Sequence, residues 1–287
     1  MDNASAAWPV VADYGWKALT ALATSLAVYY TSEKIKGRYR ITQLTRRTYA
    51  KYYAQFAELY CDRIEPEQQI SPSVIADHAT DKQIAPTSKR ALKKMGRGTD
   101  RHPTAHQLFL AVRRGQVIGF LCVFVNLRRE YMFIAYLAVL KSPDTPADVT
   151  KRLLAKAQER ATGVINQQVF FFEISPPATG SNSSKAKFRL FSEYARVLSM
   201  ATKRVPISYV QPDMDPDSLD GSTEVTADLY ISASPVLLDS LDKPAYLRFV
   251  RSIYFDIYLK SFPDLDLQPK YLEYLSSLYD LLEEENS

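Results

Sequence analysis

Residues that support specialised chemistries are scarce in this sequence. Its 287 residues include two cysteines, Cys61 and Cys122, too few for a disulfide framework. The expected compartment is therefore reducing and cytoplasmic. Three histidines (His78, His102, His106) exclude a histidine-rich metal site, and no metal is expected. Nine glycines exclude collagen-like and glycine-linker architectures. There is no Walker loop, no Gly-x-Gly-x-x-Gly, no zinc-ligand spacing and no Gly-x-Ser-x-Gly elbow. The apolar run from Ala18 to Tyr30 is shorter than the roughly 20 residues that a spanning helix needs.

What is present is an ordinary globular balance, with 46% hydrophobic and 24% charged residues. The net charge of +4 hides an asymmetry: +7 over residues 33–103, +9 over 104–204 and −11 over 205–287. A basic body attracts phosphate-bearing ligands, and an acidic C-terminal part can also neutralise it across the fold. Residues 8–30 are bracketed by Trp8, Trp16, Tyr29 and Tyr30 and followed by Lys34, Lys36, Arg38 and Arg40. Two readings stand for this segment: a helix packed on the domain or a partner, or a membrane anchor with its basic flank on the cytosolic side. Three regions follow from the pattern. Residues 1–37 hold the N-terminal helix and flank, 38–234 the main domain, and 235–287 a helical extension.

Within the main domain, residues 39–44 alternate as a strand. Tyr49, Tyr52, Tyr53, Phe56, Leu59 and Tyr60 then recur at helical spacing. Ser71-Pro72 predicts a helix start, and residues 81–104 read as an exposed basic loop. That loop lacks aromatics for base stacking, so it carries no strong nucleic-acid signal. Residues 106–112 and 117–125 predict a hairpin about Arg114-Gly115, and 131–140 a buried central strand. Asp148 is placed to cap a helix over 149–162. Residues 169–174 predict another buried strand, followed by a helix containing Phe188, Phe191, Tyr194 and Leu198. Strands over 207–210 and 225–232 complete the order. A meander feeding a helical crossover implies a mixed sheet, in an α+β or three-layer α/β class. Two helical stripes, Leu247/Val250/Tyr254/Ile257 and Leu272/Leu275/Leu278/Tyr279/Leu282, predict C-terminal helices that cover the domain or meet a partner or second copy.

The hairpin "LFLAVRRGQVIGFLCVFV", the strand "YMFIAYLAVL" and the pair "VFFFEIS" and "KFRLFSEYARVL" resemble the GNAT acyltransferase superfamily over about Tyr39 to Ser232. The resemblance implies a splayed sheet with acetyl-CoA or another acyl-CoA in the V, and transfer to a small-molecule or protein amine. It implies that Ala138, Val139 and Leu140 line the pantetheine and that the helix from Val149 receives the pyrophosphate. The superfamily's glycine-rich phosphate loop falls on Thr145, Asp148 and Thr150, none of them glycine, and Pro143 and Pro146 remove amide donors. Lys141, Thr150, Lys151 and Arg152 are the candidate replacements. The superfamily's tyrosine acid falls on Phe191, which has no proton to give. Tyr194, one turn on, is the candidate substitute, or a structural tyrosine. Glu173, late in a buried strand at the cleft edge, is the candidate base, or the partner of a basic neighbour. Glu130 and Tyr136 are weaker candidates. A protein of this fold that binds without transferring is the alternative reading. Cys122, mid-strand, is expected to be inert.

Overall fold

A computed structural model describes residues 39–65, 68–81, 84–97, 104–162, 164–165, 169–174, 182–214, 227–262, 264 and 266–286. The N-terminal segment 8–30, its basic flank up to Arg38 and most of the acidic turn before 227 lie outside the described residues. Among the described residues, no helix is long and apolar enough to cross a membrane.

The hairpin forms where its turn allows it. β2 (Thr104–Arg113) and β3 (Gln116–Asn126) meet at Arg114 and Gly115, whose φ values of 50° and 84° make the left-handed two-residue turn. β3 continues through a second turn into β4 (Tyr131–Val139), antiparallel to it. β1 (Arg40–Gln43) pairs with the outer side of β2. β5 (Phe170–Ile174) joins β4 in parallel after a helical crossover. β6 (Ala201–Arg204) and β7 (Asp228–Ala233) complete a seven-stranded mixed sheet in the order β1-β2-β3-β4-β5-β7-β6. β4 is central, as its apolar run predicts.

Two findings differ from the sequence-based strand assignments. The edge strand β6 is the polar run Ala-Thr-Lys-Arg, and residues 207–210 form no strand. An edge strand with one solvated side needs little apolar signal, and lysine and arginine there discourage edge pairing. Lys203 and Arg204 also pair with Asp239 (2.8 Å) and Asp228 (2.6 Å). Ile207 and Tyr209 are buried, but in the core below the C-terminal helices.

Nearly every position of β2 and β3 is buried, so both sheet faces are covered. One face packs α1 (Arg46–Arg63), through Tyr52, Phe56, Leu59 and Tyr60, and α2 (Pro72–Thr80). The other packs α3 (Lys89–Arg97), α4 (Val149–Ala161) and α5 (Asn182–Val197). The result is a three-layer α/β architecture. α3 corrects the loop reading of 81–104. Its only apolar anchors are Leu92, fully buried, and Met95, too few to stand out of a basic run, and Ser88 Oγ caps it by accepting from Ala91 N–H (3.1 Å).

The C-terminal residues complete the first face. α6 (Pro235–Ser240) leads to α7 (Lys243–Ile253), which runs through a π-helical turn (Tyr254–Tyr258) into a last α turn (Leu259–Ser261). α8 (Gln268–Asn286) follows. Tyr246, Val250, Ile253, Tyr254, Tyr271 and Leu275 share one core with Leu110, Phe120 and Phe171 of the sheet. A buried polar knot fixes this packing. Asn126 Nδ2 donates to Ser252 Oγ (3.0 Å) and Asp256 Oδ2 (3.1 Å), and Tyr131 Oη lies 2.9 Å from the same serine.

Candidate active site

β4 and β5 pair through only three positions: Met132 with Phe170, Phe133 with Phe171 and Ile134 with Phe172. Beyond them β4 follows β3 to Val139, whereas β5 follows β7. The strands part, and a cleft of about 430 Å³ opens between them. A bulge marks the parting. Cys122 faces Tyr136 and Val123 faces Ile134, so Ala135 is left outside the β3 ladder. Such a bulge bends the strand and re-aims its neighbours.

Glu173 stands at this fork. Its carboxylate accepts from Tyr258 Oη at 2.8 Å on each oxygen, and Oε1 also accepts from Tyr209 Oη. Burial pushes its pKa up to about 7, and the two tyrosine hydrogen bonds hold it from rising further. The partner is thus two phenols rather than the basic neighbour considered above. Tyr258 belongs to the π turn, 85 residues away in the chain. Tyr136 also lines the cleft and donates to Gln68 O (3.1 Å); burial raises its pKa well above the ordinary tyrosine value. Glu130 sits at the opposite end of β4, on the turn with φ 58°.

The candidate cofactor-binding residues divide. Ala138, Val139, Lys141 and Thr150 line the cleft. Leu140 instead packs towards the α1 side of the core, its N–H donating to Ile118 O (2.9 Å). Lys151 and Arg152 do not line the cleft, and the Arg152 guanidinium stacks on the Tyr39 ring at 4.3 Å. Asp148 precedes α4 but makes no side-chain cap hydrogen bond. Burial first, and the Asp148 carboxylate beside it, push the Tyr39 phenol up to about 12. Tyr194 does not line the cleft; its hydroxyl donates to Gln158 Oε1 (2.8 Å) on α4. Phe191 does line it, stacked on Phe172 with ring centroids 4.3 Å apart.

Lys187 is a cleft residue that sequence reasoning missed. The signal was available: it lies four residues before Phe191 and so shares its helix face. Lys141, Lys187 and Arg63 supply positive charge against Asp62, Glu65 and Glu173 in the same lining, Thr150 brings the first turn of α4 to the wall, and β4 beyond Ile134 has no strand partner on its β5 side. These residues fit a ligand with an extended polar arm and a phosphate group.

Gly119 lets this wall form. A Cβ there would lie 2.9 Å from Val139 Cγ1, 3.1 Å from Val149 Cγ1 and 3.2 Å from Ala138 O. Gly119→Ala is expected to displace the cleft-lining end of β4, costing about 1–3 kcal/mol in a urea melt.

The remaining cysteine–histidine pair is buried apart from the cleft lining. His106 Nε2 lies 3.0 Å from Cys122 Sγ, with the imidazole pushed down to about 3 and the thiol raised, both by burial. Cys61 is exposed. Ellman's reagent is therefore expected to titrate one thiol in the folded protein and the second only after unfolding.

No family model and no curated relative matches the sequence. Solved structures do align. A GNAT-family chain from Bacteroides thetaiotaomicron is 12% identical, over 76% of this chain and 98% of that one, with a TM-score of 0.46. The diaminobutyrate acetyltransferase of Paenibacillus lautus, in complex with its substrate and coenzyme A, is 17% identical over 68% and 95%, with a TM-score of 0.45. A GNAT-family acetyltransferase from Staphylococcus aureus is 11% identical over 68% and 98%, with a TM-score of 0.39. The strand order, the parallel β4–β5 pair and its parting beyond three residues are this chain's own features, and they match the splayed mixed sheet that the resemblance to the GNAT superfamily implies.

Proposed function

We propose that this protein is an acyl-CoA-dependent N-acyltransferase with Glu173 as its general base. The observation that carries the reading is a buried carboxylate held by two tyrosines where β4 and β5 part, in a setting where burial pushes its pKa up to about 7. A base poised near neutral pH suits the removal of a proton from an alkylammonium or its attacking amine. An acyl-CoA supplies a thioester carbon open to direct attack. Ala138, Val139, Lys141, Thr150 and Lys187 are the residues that would hold it. Glu173 takes the amine proton as the nitrogen bonds to the acyl carbon. The carbon–sulfur bond breaks with its electron pair on sulfur, and solvent protonates the thiolate, because Phe191 occupies the position of an acid. The group transferred by this reading is acetyl or a close homologue.

The test is calorimetric titration with acetyl-CoA and longer acyl-CoAs. Micromolar binding is expected, weakened about tenfold by Lys141→Ala or Lys187→Ala, the value of one charge-assisted contact. Lys151→Ala is expected to leave affinity unchanged. Absence of binding by every acyl-CoA would overturn the transferase reading. The loop without glycines at Thr145, Asp148 and Thr150 favours the alternative in that event: a GNAT fold that binds another ligand in the cleft.

A further inference from the structure

A second cavity, of about 40 Å³, lies behind the fork. It shares Ala135, Tyr136, Glu173 and Gln211 with the cleft, so the two meet at the carboxylate. Beyond that junction the walls are apolar: Phe124 and Phe133 from the sheet, Ile70 ahead of α2, Met214, and Ile257 from the π turn. Tyr258 and Ser261 close it. No lysine or arginine is among the described residues that line it, and Glu173 is the one carboxylate there.

Resting on the acyltransferase reading, we propose that this cavity is the acceptor pocket and that it selects a primary amine bearing a short apolar substituent and no carboxylate. The argument has three parts. The base must touch the attacking nitrogen, and Glu173 with its donor Tyr258 faces this cavity. A free carboxylate on the acceptor would be stripped of water with no cation to pair with, and would face Glu173. The volume holds about three water-sized groups, which matches a branched alkyl group of three or four carbons. The π turn is part of the device. It seats Ile257 in the wall and Tyr258 on Glu173 in successive residues, so the C-terminal helices determine specificity as well as covering the sheet.

The experiment measures thiol release from acetyl-CoA at pH 8 with isobutylamine, glutamate and 2,4-diaminobutyrate. Isobutylamine binding without acyl-CoA is followed separately by calorimetry. The expected result is a kcat/KM for isobutylamine at least about 100-fold above that for glutamate. Ile257→Phe is expected to abolish isobutylamine binding while acetyl-CoA affinity and the near-UV circular dichroism stay native. Met214→Arg, a change at a less buried wall, is expected to raise turnover of glutamate relative to isobutylamine. Native turnover of glutamate or diaminobutyrate equal to or above that of isobutylamine would overturn the pocket assignment and leave the transferase reading standing. Isobutylamine binding that Ile257→Phe abolishes, with no turnover of any amine, would overturn the transferase reading and keep the pocket. Absence of isobutylamine binding and of its turnover would overturn the pocket assignment.

Discussion

Glu173→Gln is expected to lower acyl transfer by about 10²–10⁴-fold, the usual worth of a positioned general base. The substitution keeps the shape of the side chain, and its amide oxygen still accepts from Tyr209 and Tyr258, so acyl-CoA affinity should stay within about twofold. The native rate should rise as pH passes through about 7, where Glu173 loses its proton. In the variant this rise should vanish, and pre-steady-state rates across pH 5.5–9 check it. The sign follows from the cause: burial favours the neutral acid, so the base form is scarce below the raised pKa. Tyr258→Phe should move the same inflection upward. It removes a donor that favours the ionised carboxylate. A merely structural tyrosine would alter stability and leave the inflection in place. The stability linkage runs the opposite way. A carboxylate raised in the folded state contributes stability below its unfolded value of about 4.5, lost as pH climbs to about 7. Glu173→Gln should therefore be the more stable protein at pH 8.

Removal of residues 235–287 is expected to abolish folding rather than trim an appendage. Tyr246, Val250, Ile253, Tyr254, Tyr271, Leu275 and Leu282 are buried in one core with the sheet. Each large apolar side chain contributes about 1.5–3 kcal/mol when buried. A handful therefore equals the whole net stability of a typical domain, about 5–15 kcal/mol. Truncation also strips Asn126 and Tyr131 of Ser252 and Asp256 and opens this side of the sheet to water. The check is near-UV circular dichroism and urea unfolding of the chain ending at Ser234. A native spectrum with a cooperative transition would show that the sheet stands without its C-terminal cover. Asn126→Ala makes the same point within the full chain: a loss of about 2–4 kcal/mol is expected, since Ser252, Asp256 and the Arg128 and Arg129 amides lose a shared partner together.

Where the chain's periodicity is strong, sequence and structure agree. The β2–β3 hairpin was legible because Arg114-Gly115 supplies the turn and two apolar runs flank it. The central place of β4 was legible because both of its faces read apolar. The burial of Glu173 was legible for a related reason: an acid ending a run of phenylalanines must either be paired or carry a raised pKa. The misses have equally local causes. α3 hides in a basic stretch because two apolar residues suffice to seat nine. β6 hides because an edge strand can be polar. Residues 207–210 mislead because burial beneath a helix gives the same apolar pattern as burial in a sheet. Asp148 has the composition of a cap, yet its carboxylate lies beside Tyr39, more than a hundred residues earlier in the chain.

The sequence by itself determined the elements that bury regular apolar faces, their order, and the crossover that puts β4 and β5 in parallel. It determined these because side-chain periodicity and turn geometry act over a few residues. Tertiary structure alone decided what surrounds Glu173. Tyr209 and Tyr258 reach it from segments that no spacing rule connects. Ile257 becomes a pocket wall only when α7 turns through π geometry over the sheet. Lys187 enters the cleft while Arg152 is drawn to Tyr39, because the choice between them depends on which face of each helix meets the parting strands. Contacts between distant segments are set by the packing of the whole core, and the chemistry of this site is made of such contacts.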